Sequence, residues 1–242
     1  MKMENSFLDI NEYLFFSTFE EFLCPYFNDG RFCKFKVLIY YEDFIKEAYT
    51  ILLKNGFRRV NSIFYKNICE DCNKCIPIRI AVNRFRPNKN QKRIFKKNND
   101  IKDEVVKSEI TLEKFILYSN YIKNVHKSKA NSKNLYDEME CIHYGYSGTI
   151  EMDYYFDNRL VGVGIVDETK DGLSSDYFYY EPSLRVRRFG IFSILKEIEF
   201  AIELGKDYLY LGYYIEEIPK MNYKVQFKPY ELMIGEKWQG CF

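Results

Sequence analysis

The sequence has few of the residues on which common hydrolytic mechanisms depend. Among 242 residues there are two histidines, His126 and His143. The segment 145–148 contains a serine between glycines but lacks the spacing of a serine-hydrolase elbow, so a Ser-His-Asp triad finds little support. We interpret both histidines as ordinary surface or core residues.

Long apolar runs and a large net charge are also missing. No uninterrupted apolar run approaches the roughly 18 to 20 residues needed to cross a bilayer. The first ten residues carry acids, unlike a signal peptide, and we expect a cytoplasmic protein with no membrane partner. The formal net charge is +1, so a nucleic-acid partner must be met by local basic patches.

The remaining pattern predicts an α+β fold with two lobes. With 47% hydrophobic residues the chain can bury a sizeable core. We expect a small cysteine-containing N-terminal lobe (1–105), with a helix over 41–55, strands over 57–65 and 75–85, and a linker near 100–108. The C-terminal lobe (106–242) has a helix over 111–125, a hairpin turning at Asp157-Asn158, a strand over 173–180, a helix over 191–204 and a strand over 207–213. This order is typical of an N-acetyltransferase-like (GNAT) core, a mixed sheet flanked by helices.

A cluster of thiols suggests metal chemistry. Cys69, Cys72 and Cys75 are spaced three residues apart, and Cys24 is a distant fourth thiol, with Cys33 competing for that place. The cytosol keeps thiols reduced, which favours metal ligands over disulfides. Zinc or an iron-sulfur cluster is one interpretation. Small buried thiols in a turn are the other, because the complete paired motif of a zinc ribbon is absent.

A basic segment follows the thiols directly. Residues 84–97 hold seven cations and no acid, and from residue 88 onward they can form a helix with its cations on one face. Clustered Lys and Arg gain binding free energy by releasing counterions from a polyanion. A solvated surface helix is the alternative. The candidate phosphate contacts are Arg84, Arg86, Lys89, Lys92, Arg93 and Lys96.

The sequence resembles the aminoacyl-tRNA protein transferases of the N-end rule pathway, and their bacterial leucyltransferase branch more than the eukaryotic arginyltransferases. The motifs that carry the resemblance follow the family's order through both lobes. They include Gly56-Phe-Arg58-Arg59, Cys69-x-x-Cys72-x-x-Cys75-x-Pro77-x-Arg79, Val163-Gly-Ile-Val-Asp167, Tyr210-Leu-Gly-Tyr-Tyr214 and Lys220-Met-Asn-Tyr-Lys224.

The resemblance implies transfer of an aminoacyl group, most simply leucyl, from charged tRNA to the N-terminal amine of proteins that begin with Asp or Glu. The product is marked for degradation. The donor ester is already activated, so the protein must position the reactants, move one proton and stabilise an oxyanion. No cofactor is required for this chemistry. The eukaryotic relatives are associated with a cluster on cysteines of the first lobe.

Several residues are candidates for these tasks. Asp167 is the first candidate base and Glu151 the second, although Asp167 also suits a turn. A guanidinium group pairs bidentately with a carboxylate. Arg79 or Arg187 is therefore the candidate for binding the acidic side chain of the acceptor's N-terminal residue. Tyr179, Tyr213 and Tyr214, together with Tyr177, are candidates for the acceptor pocket or for stacking on the terminal adenosine. Arg187, Lys220 and Lys224 complete the expected tRNA contacts.

Two alternatives remain open from the sequence. Arginyl transfer to the same acceptors is the first. An acidic residue in the pocket that holds the side chain of the transferred amino acid would favour it. The second is a non-catalytic RNA-binding metalloprotein that uses the basic helix and the cysteine turn. For the transferase we expect a monomer whose partners are aminoacyl-tRNA and proteins with an acidic N-terminal residue.

Overall fold

The computed structural model describes residues 16–39, 45–126 and 131–241. These residues form helices and two β-sheets, so the predicted α+β class is confirmed. The chain passes from one sheet to the other between residues 68 and 75, whereas the sequence predicted a lobe boundary at 105/106. The division of the chain into two lobes stays a prediction.

Four antiparallel strands form the smaller sheet, in the order β1-β2-β4-β3. Helix α1 (Ile45–Lys54) shares a buried cluster with this sheet and ends before Gly56, which has a φ of 80°. The expected strand over 57–65 is two strands, because Asn61 turns the chain with a φ of 51° that Asn tolerates well. The strands are β1 (Phe16–Leu23), β2 (Phe32–Ile39), β3 (Arg58–Val60) and β4 (Ile63–Asn67).

The larger sheet has eight strands in the order β12-β11-β5-β10-β9-β8-β7-β6. Its pair β9–β10 is parallel, and helix α5 (Phe189–Glu203) makes the crossover that a parallel pair requires. The hairpin β7–β8, the strand β9, α5 and β10 follow the predicted acetyltransferase-like order. The strands are β5 (Ile76–Ala81), β6 (Lys102–Lys107), β7 (Thr149–Phe156), β8 (Arg159–Glu168), β9 (Gly172–Tyr180), β10 (Tyr208–Tyr214), β11 (Tyr230–Ile234) and β12 (Lys237–Cys241).

Helices cover both faces of the larger sheet. On one face α5 packs with α2 (Lys89–Lys97), whose first turn is closed by a reciprocal capping box between Asn88 and Gln91. On the other face lie α3 (Leu112–Tyr121), the π-helical segment Ile122–His126 and α4 (Ser132–His143). A short helix, α6 (Pro219–Asn222), follows β10. The mixed sheet flanked by helices is therefore as predicted.

Two further elements differ from the sequence-based expectation. The supposed linker 100–108 contains β6, an edge strand with mostly exposed side chains, which pairs with β7. The sequence did not predict β6 because its residues are mostly polar, and an edge strand buries little apolar surface. Helix α4 was not predicted, since its apolar residues are few, but Asn131 caps it by accepting a bond from the amide of Asn134.

Candidate functional site

The parallel strands β9 and β10 separate part-way along their length. Residues 172–174 pair with 208–210, and the two strands, both described in full, do not pair beyond that point. Strand β9 stays with β8 as far as Tyr180, while β10 stays with β5 as far as Tyr214. The carboxyl ends of the two strands thus flank an opening. In sheets with parallel strands, such openings at the carboxyl ends are where ligands bind.

Both strands carry an irregularity where they part. In β9, Asp176 is an extra residue between the pairs Ser175–Val166 and Tyr177–Ile165. In β10, residues 211 and 212 together face one residue of β5, and Gly212 has a φ of 74°. Bulges of this kind bend strands and redirect side chains. The separation is therefore built into the local backbone of both strands.

The side chain of Arg58, from β3 of the smaller sheet, lies in the opening. Its guanidinium donates to the hydroxyl of Ser174 at 2.9 Å, to the carbonyl of Ser175 at 2.9 Å and to Asp176 Oδ1 at 3.0 Å. On the other side it packs against the backbone of Gly212. Arg58 therefore bridges β9 and β10 at the level where their own pairing ends.

The neighbouring Arg59 fixes the smaller sheet to the larger one. Its side chain is fully buried and donates to both oxygens of Asp167, at 2.6 and 2.9 Å. The same carboxylate accepts from Thr149 and from Tyr49. A buried, bidentate and fully hydrogen-bonded pair of this kind has a structural role. Both oxygens of Asp167, the first candidate base, are therefore occupied by hydrogen bonds from Arg59, Thr149 and Tyr49.

The second candidate base, Glu151, is also enclosed. It is fully buried in an ion pair with Lys114, and its Oε1 lies 2.8 Å from Nδ1 of His143. The other ring nitrogen of that histidine lies 3.1 Å from the hydroxyl of Tyr179. Together these groups form a polar network inside the core, which agrees with the interpretation of His143 as a core residue.

The residues expected to bind the acceptor occupy different places. Arg79 is buried and pairs at 2.7 Å with Glu231, which also pairs with Arg84, and its guanidinium lies over the rings of Tyr208 and Trp238. Tyr179 is fully buried in the network of Glu151. Tyr213 and Tyr214 lie at the end of β10, and the hydroxyl of the buried Tyr213 accepts from the backbone amide of Asn67 at 3.3 Å.

Exposed cations collect on α2 as predicted. Lys89, Lys92, Arg93 and Lys96 are exposed, and Gln91 and Ile94 form the buried side of this helix. Lys97 donates to the carbonyl of Val186, which brings the helix next to the basic turn before α5. In that turn Arg187 is paired with Asp100 at 2.6 Å. Exposed cations beside these elements are Arg84, Arg86, Arg185 and Arg188.

Two further basic residues of the predicted set lie after β10, and they differ. Lys220 is exposed, whereas Lys224 is 8% exposed, with its Nζ donating to the carbonyl of Tyr213 at 2.7 Å. Burial and the nearby charge of Arg58 lower the pKa of Lys224 to about 7. A buried amine of this kind does not belong to the exposed phosphate-contacting surface.

Two carboxyl groups near Arg58 were not singled out from the sequence. Burial and the neighbouring Asp167 raise the pKa of Asp176 to about 6, although Arg59 and Arg58 oppose the shift. Glu197, on α5 beneath the sheet, is fully buried, and both of its oxygens lack hydrogen-bond partners within the described residues. Burial raises the pKa of Glu197 to about 8, so this carboxyl group is mostly protonated near pH 7.

The cysteines line a cavity beside the smaller sheet. Cys24, Cys69, Cys72 and Cys75 all face this cavity of about 460 Å³, as does Cys33. In the part of the chain that the structure describes, no three His, Cys, Asp or Glu side chains are arranged to hold a metal ion. The thiols thus have the right chemistry but do not converge on one point. The predicted zinc or iron-sulfur site stays a prediction.

Two family models match the chain. The model described as "Arginine-tRNA-protein transferase, N terminus" matches residues 23–93, and "Arginine-tRNA-protein transferase, C terminus" matches residues 113–234. The chain belongs to the arginine-tRNA-protein transferase family. The predicted membership and the predicted enzyme class, an aminoacyltransferase, are therefore confirmed. No described helix of this transferase is both long and apolar enough to span a membrane.

Named relatives of the transferase are similar over most of its length. An aspartate/glutamate leucyltransferase of Pseudomonas fluorescens (strain Pf0-1) is 38% identical over 79% of this chain and 82% of the relative. One of Campylobacter jejuni subsp. jejuni serotype O:6 is 32% identical over 92% of this chain and 93% of the relative. A solved GCN5-related glucosamine N-acetyltransferase region of a fungal β-N-acetylglucosaminidase aligns with a TM-score of 0.44 and 13% identity, covering 81% of this chain and 22% of that chain.

Sequence reasoning missed the role of Arg58 in the transferase. The motif Gly56-Phe-Arg58-Arg59 was recognised, but the paired arginines were given no task. A signal was present, because two adjacent arginines on a short strand must find acidic partners if they are buried. Those partners, Asp176 and Asp167, lie more than a hundred residues away, so spacing alone does not reveal them.

Proposed function

We propose that this transferase moves leucine from leucyl-tRNA to the N-terminal amine of proteins beginning with Asp or Glu, marking them for degradation. The observation that carries the proposal is the similarity, over most of both chains, to relatives named aspartate/glutamate leucyltransferase. The proposal includes action as a monomer in the cytoplasm, where charged tRNA is available.

The cavity beside the smaller sheet supports a leucyl donor. Its wall is built from aromatic, aliphatic and thiol side chains, with Arg31 as its charged residue and no carboxylate among the described lining residues. A guanidinium would need an acid there, whereas a leucyl side chain gains from apolar burial. Tyr65 and Asn67 connect the cavity to the cleft, because the hydroxyl of Tyr213 accepts from the amide of Asn67 at 3.3 Å and Tyr65 lies near Arg58.

The exposed cations of α2 supply a surface for the tRNA. They lie beside the basic turn that leads into α5, and α5 follows directly from the cleft strand β9. A phosphate backbone could therefore contact α2 while the charged 3′ end reaches the opening between β9 and β10. Each phosphate contact would release counterions and make binding sensitive to salt.

Transfer to model peptides tests the proposal. Preformed leucyl-tRNA and arginyl-tRNA, each carrying a radiolabelled amino acid, are incubated with peptides that begin with Asp, Glu, Lys or Ala. Leucine on the Asp and Glu peptides alone is the expected result. Arginine in its place would favour the second candidate, which the descriptions of both family models support. Salt-sensitive tRNA binding without any transfer would contradict the enzyme proposal.

We also propose that the cysteines bind zinc or an iron-sulfur cluster, as the sequence suggested. The support is that five thiols, the four predicted ligands and Cys33, line one cavity. Metal analysis and an absorption spectrum of protein purified without oxygen test this. We expect metal in the wild-type protein, loss in Cys72→Ser, and retention in Cys141→Ser, whose thiol lies outside the cavity lining. Protein without metal under these conditions would contradict the proposal.

A further inference from the structure

Lys224 is a buried amine next to the end of β10. It lies in the short 3-10 helix Tyr223–Gln226 and packs against the end of β10. Besides the Tyr213 carbonyl, its Nζ contacts the sulfur of Met221 at 3.9 Å. No carboxylate of the described residues forms an ion pair with it. An ammonium group in this position would be poorly compensated, so the neutral amine is favoured.

A second buried lysine of the same chain shows what an acidic partner changes. Lys114 is 6% exposed, similar to Lys224, but it pairs with Glu151 and, at 3.0 Å, with Asp153. Although burial opposes the charge, those two carboxylates raise the pKa of Lys114. At Lys224 burial and Arg58 both act in the same direction and lower the pKa to about 7. The two lysines thus differ in that Lys114 has two carboxylate partners, whereas no described carboxylate pairs with Lys224.

The amine of Lys224 is bonded to β10, the strand that borders the cleft. Tyr213, which accepts its hydrogen bond, lies on β10 beyond the last residue that pairs with β9. Arg58, which bridges the two strands, is the charged group that acts on Lys224. A neutral amine has two N–H donors and one lone pair. The bond to the carbonyl uses one donor and leaves the lone pair available.

We propose that the neutral Nζ of Lys224 is the general base that takes the proton from the acceptor α-amine as this amine attacks the aminoacyl ester. This inference rests on the proposed function. The new bond joins the amine nitrogen to the ester carbonyl carbon, and the bond from that carbon to the 3′ oxygen of the tRNA breaks. Lys224 then returns the same proton to the departing oxygen. The enzyme therefore ends the cycle in its starting protonation state.

The chemistry of the step suits this group. When an amine adds to an ester, the nitrogen must lose a proton before the intermediate can expel the alkoxide efficiently. A base is most effective when its pKa is close to the working pH, and enzymes tune lysines for this by burial and by neighbouring charge. This step needs no nucleophile on the protein, which agrees with the lack of sequence support for a Ser-His-Asp triad.

The other titratable groups around Arg58 leave this role to Lys224. Asp176 is bound to the guanidinium at 3.0 Å. Burial raises the pKa of Glu197 to about 8 and those of Tyr65 and Tyr213 above their usual value, so these groups are mainly protonated near neutral pH. Burial likewise raises the pKa of Tyr223, the neighbour of Lys224 on its own element. None of them is a free base at neutral pH.

Single-turnover transfer from leucyl-tRNA to an Asp peptide, measured across a range of pH, tests the proposal. We expect Lys224→Met to lower the rate by roughly 10²- to 10⁴-fold, the usual contribution of a general base. Lys224→Arg, which keeps a donor for the Tyr213 carbonyl but is permanently charged, should be comparably slow. Lys170→Met, an exposed lysine at the opposite end of the strands, is the control and should keep the wild-type rate.

The pH profile separates proton transfer from a structural role. In the wild-type protein a plot of transfer rate against pH should show two rises, one from deprotonation of Lys224 and one from deprotonation of the substrate amine. Lys224→Met and Lys224→Arg should lose the first rise and keep the second. Small primary amines should rescue Lys224→Ala, and the more basic ones should do so better. A rate within threefold of wild type in Lys224→Arg, or an unchanged profile in Lys224→Met, would overturn the inference. Failure of the wild-type protein to transfer would instead contradict the proposed function.

Discussion

The guanidinium of Arg58 lies directly against the backbone of Gly212, so that a Cβ at residue 212 would come within 3.0 Å of its Nε. The two residues come from different sheets. Their contact, together with the bonds from Arg58 to β9, explains how the opening between β9 and β10 is kept at a fixed width. The cleft thus depends on an arginine from the N-terminal half of the chain.

Replacement of Gly212 by alanine tests this contact. The substitution forces a side chain into the left-handed region at φ 74° and against Arg58. Gly205→Ala is the matched control, because Gly205 has a φ of 66° but no neighbour within 4 Å of a built Cβ. Both variants should lose about 1–2 kcal/mol of unfolding free energy from backbone strain. Gly212→Ala alone should also lose transfer activity. Equal activity of the two variants would show that the contact with Arg58 has no functional part.

Arg58→Lys keeps the charge but removes the planar fork. A lysine cannot reach the Ser174 hydroxyl, the Ser175 carbonyl and Asp176 together, as the guanidinium does. We expect single-turnover transfer to fall by about 10²-fold, since small displacements of reacting groups have effects of that size. Arg159→Lys, an exposed arginine at the start of β8, is the control. A wild-type rate of transfer in Arg58→Lys would mean that a positive charge at residue 58 is sufficient for activity.

Glu197 should make the stability of the protein fall as the pH rises. Its pKa is about 8 in the folded protein and 4.5 for the ordinary group, so the folded state holds more protons between these values. The favourable contribution is full below about pH 4.5 and is lost as the pH rises through about 8, a change on the order of a few kcal/mol. Glu197→Gln should remove this dependence.

Urea denaturation at a series of pH values across that window is the measurement for Glu197. Glu199→Gln, on the same helix but exposed, should behave like the wild-type protein. If the wild-type protein and Glu197→Gln show the same slope of unfolding free energy against pH, the carboxyl group is ionised in the folded state and the proposed protonation is wrong.

The cations of α2 should set the salt dependence of tRNA binding. Lys92 and Lys96 lie one turn apart on the exposed side of this helix. Changing both to Glu should weaken tRNA binding and reduce the slope of log affinity against log salt by roughly one for each phosphate that is no longer neutralised. Lys170→Glu with Lys237→Glu, two exposed lysines outside α2, should have a smaller effect on that slope. Equal slopes for the two double variants would place the tRNA elsewhere.

The sequence predicted the parts of this protein that depend on local pattern. The helices over 111–125 and 191–204, the hairpin at Asp157-Asn158 and the basic helix follow from periodicity and turn residues, and the structure contains them. The family motifs identified the enzyme class. The polar edge strand β6 escaped because its side chains are exposed and show no alternation.

The site was predicted less well, for a physical reason. The motif ending in Asp167 marked an important residue, but its buried pairing with Arg59 could be seen only after the chain had folded. Lys224 was recognised as a basic residue of a motif. Its distinctive property is that none of the described carboxylates pairs with its buried amine, and no sequence spacing encodes this. Long-range pairing, rather than residue type, therefore decides which of the candidates can act.

Competition between the two donors tests the central claim most directly. A peptide beginning with Asp is incubated with the protein and an equimolar mixture of leucyl-tRNA and arginyl-tRNA, and the product is identified by mass spectrometry. The proposed function predicts a peptide extended by one leucine at its N-terminus. A peptide extended by arginine, or one left unmodified while both tRNAs stay charged, would contradict it.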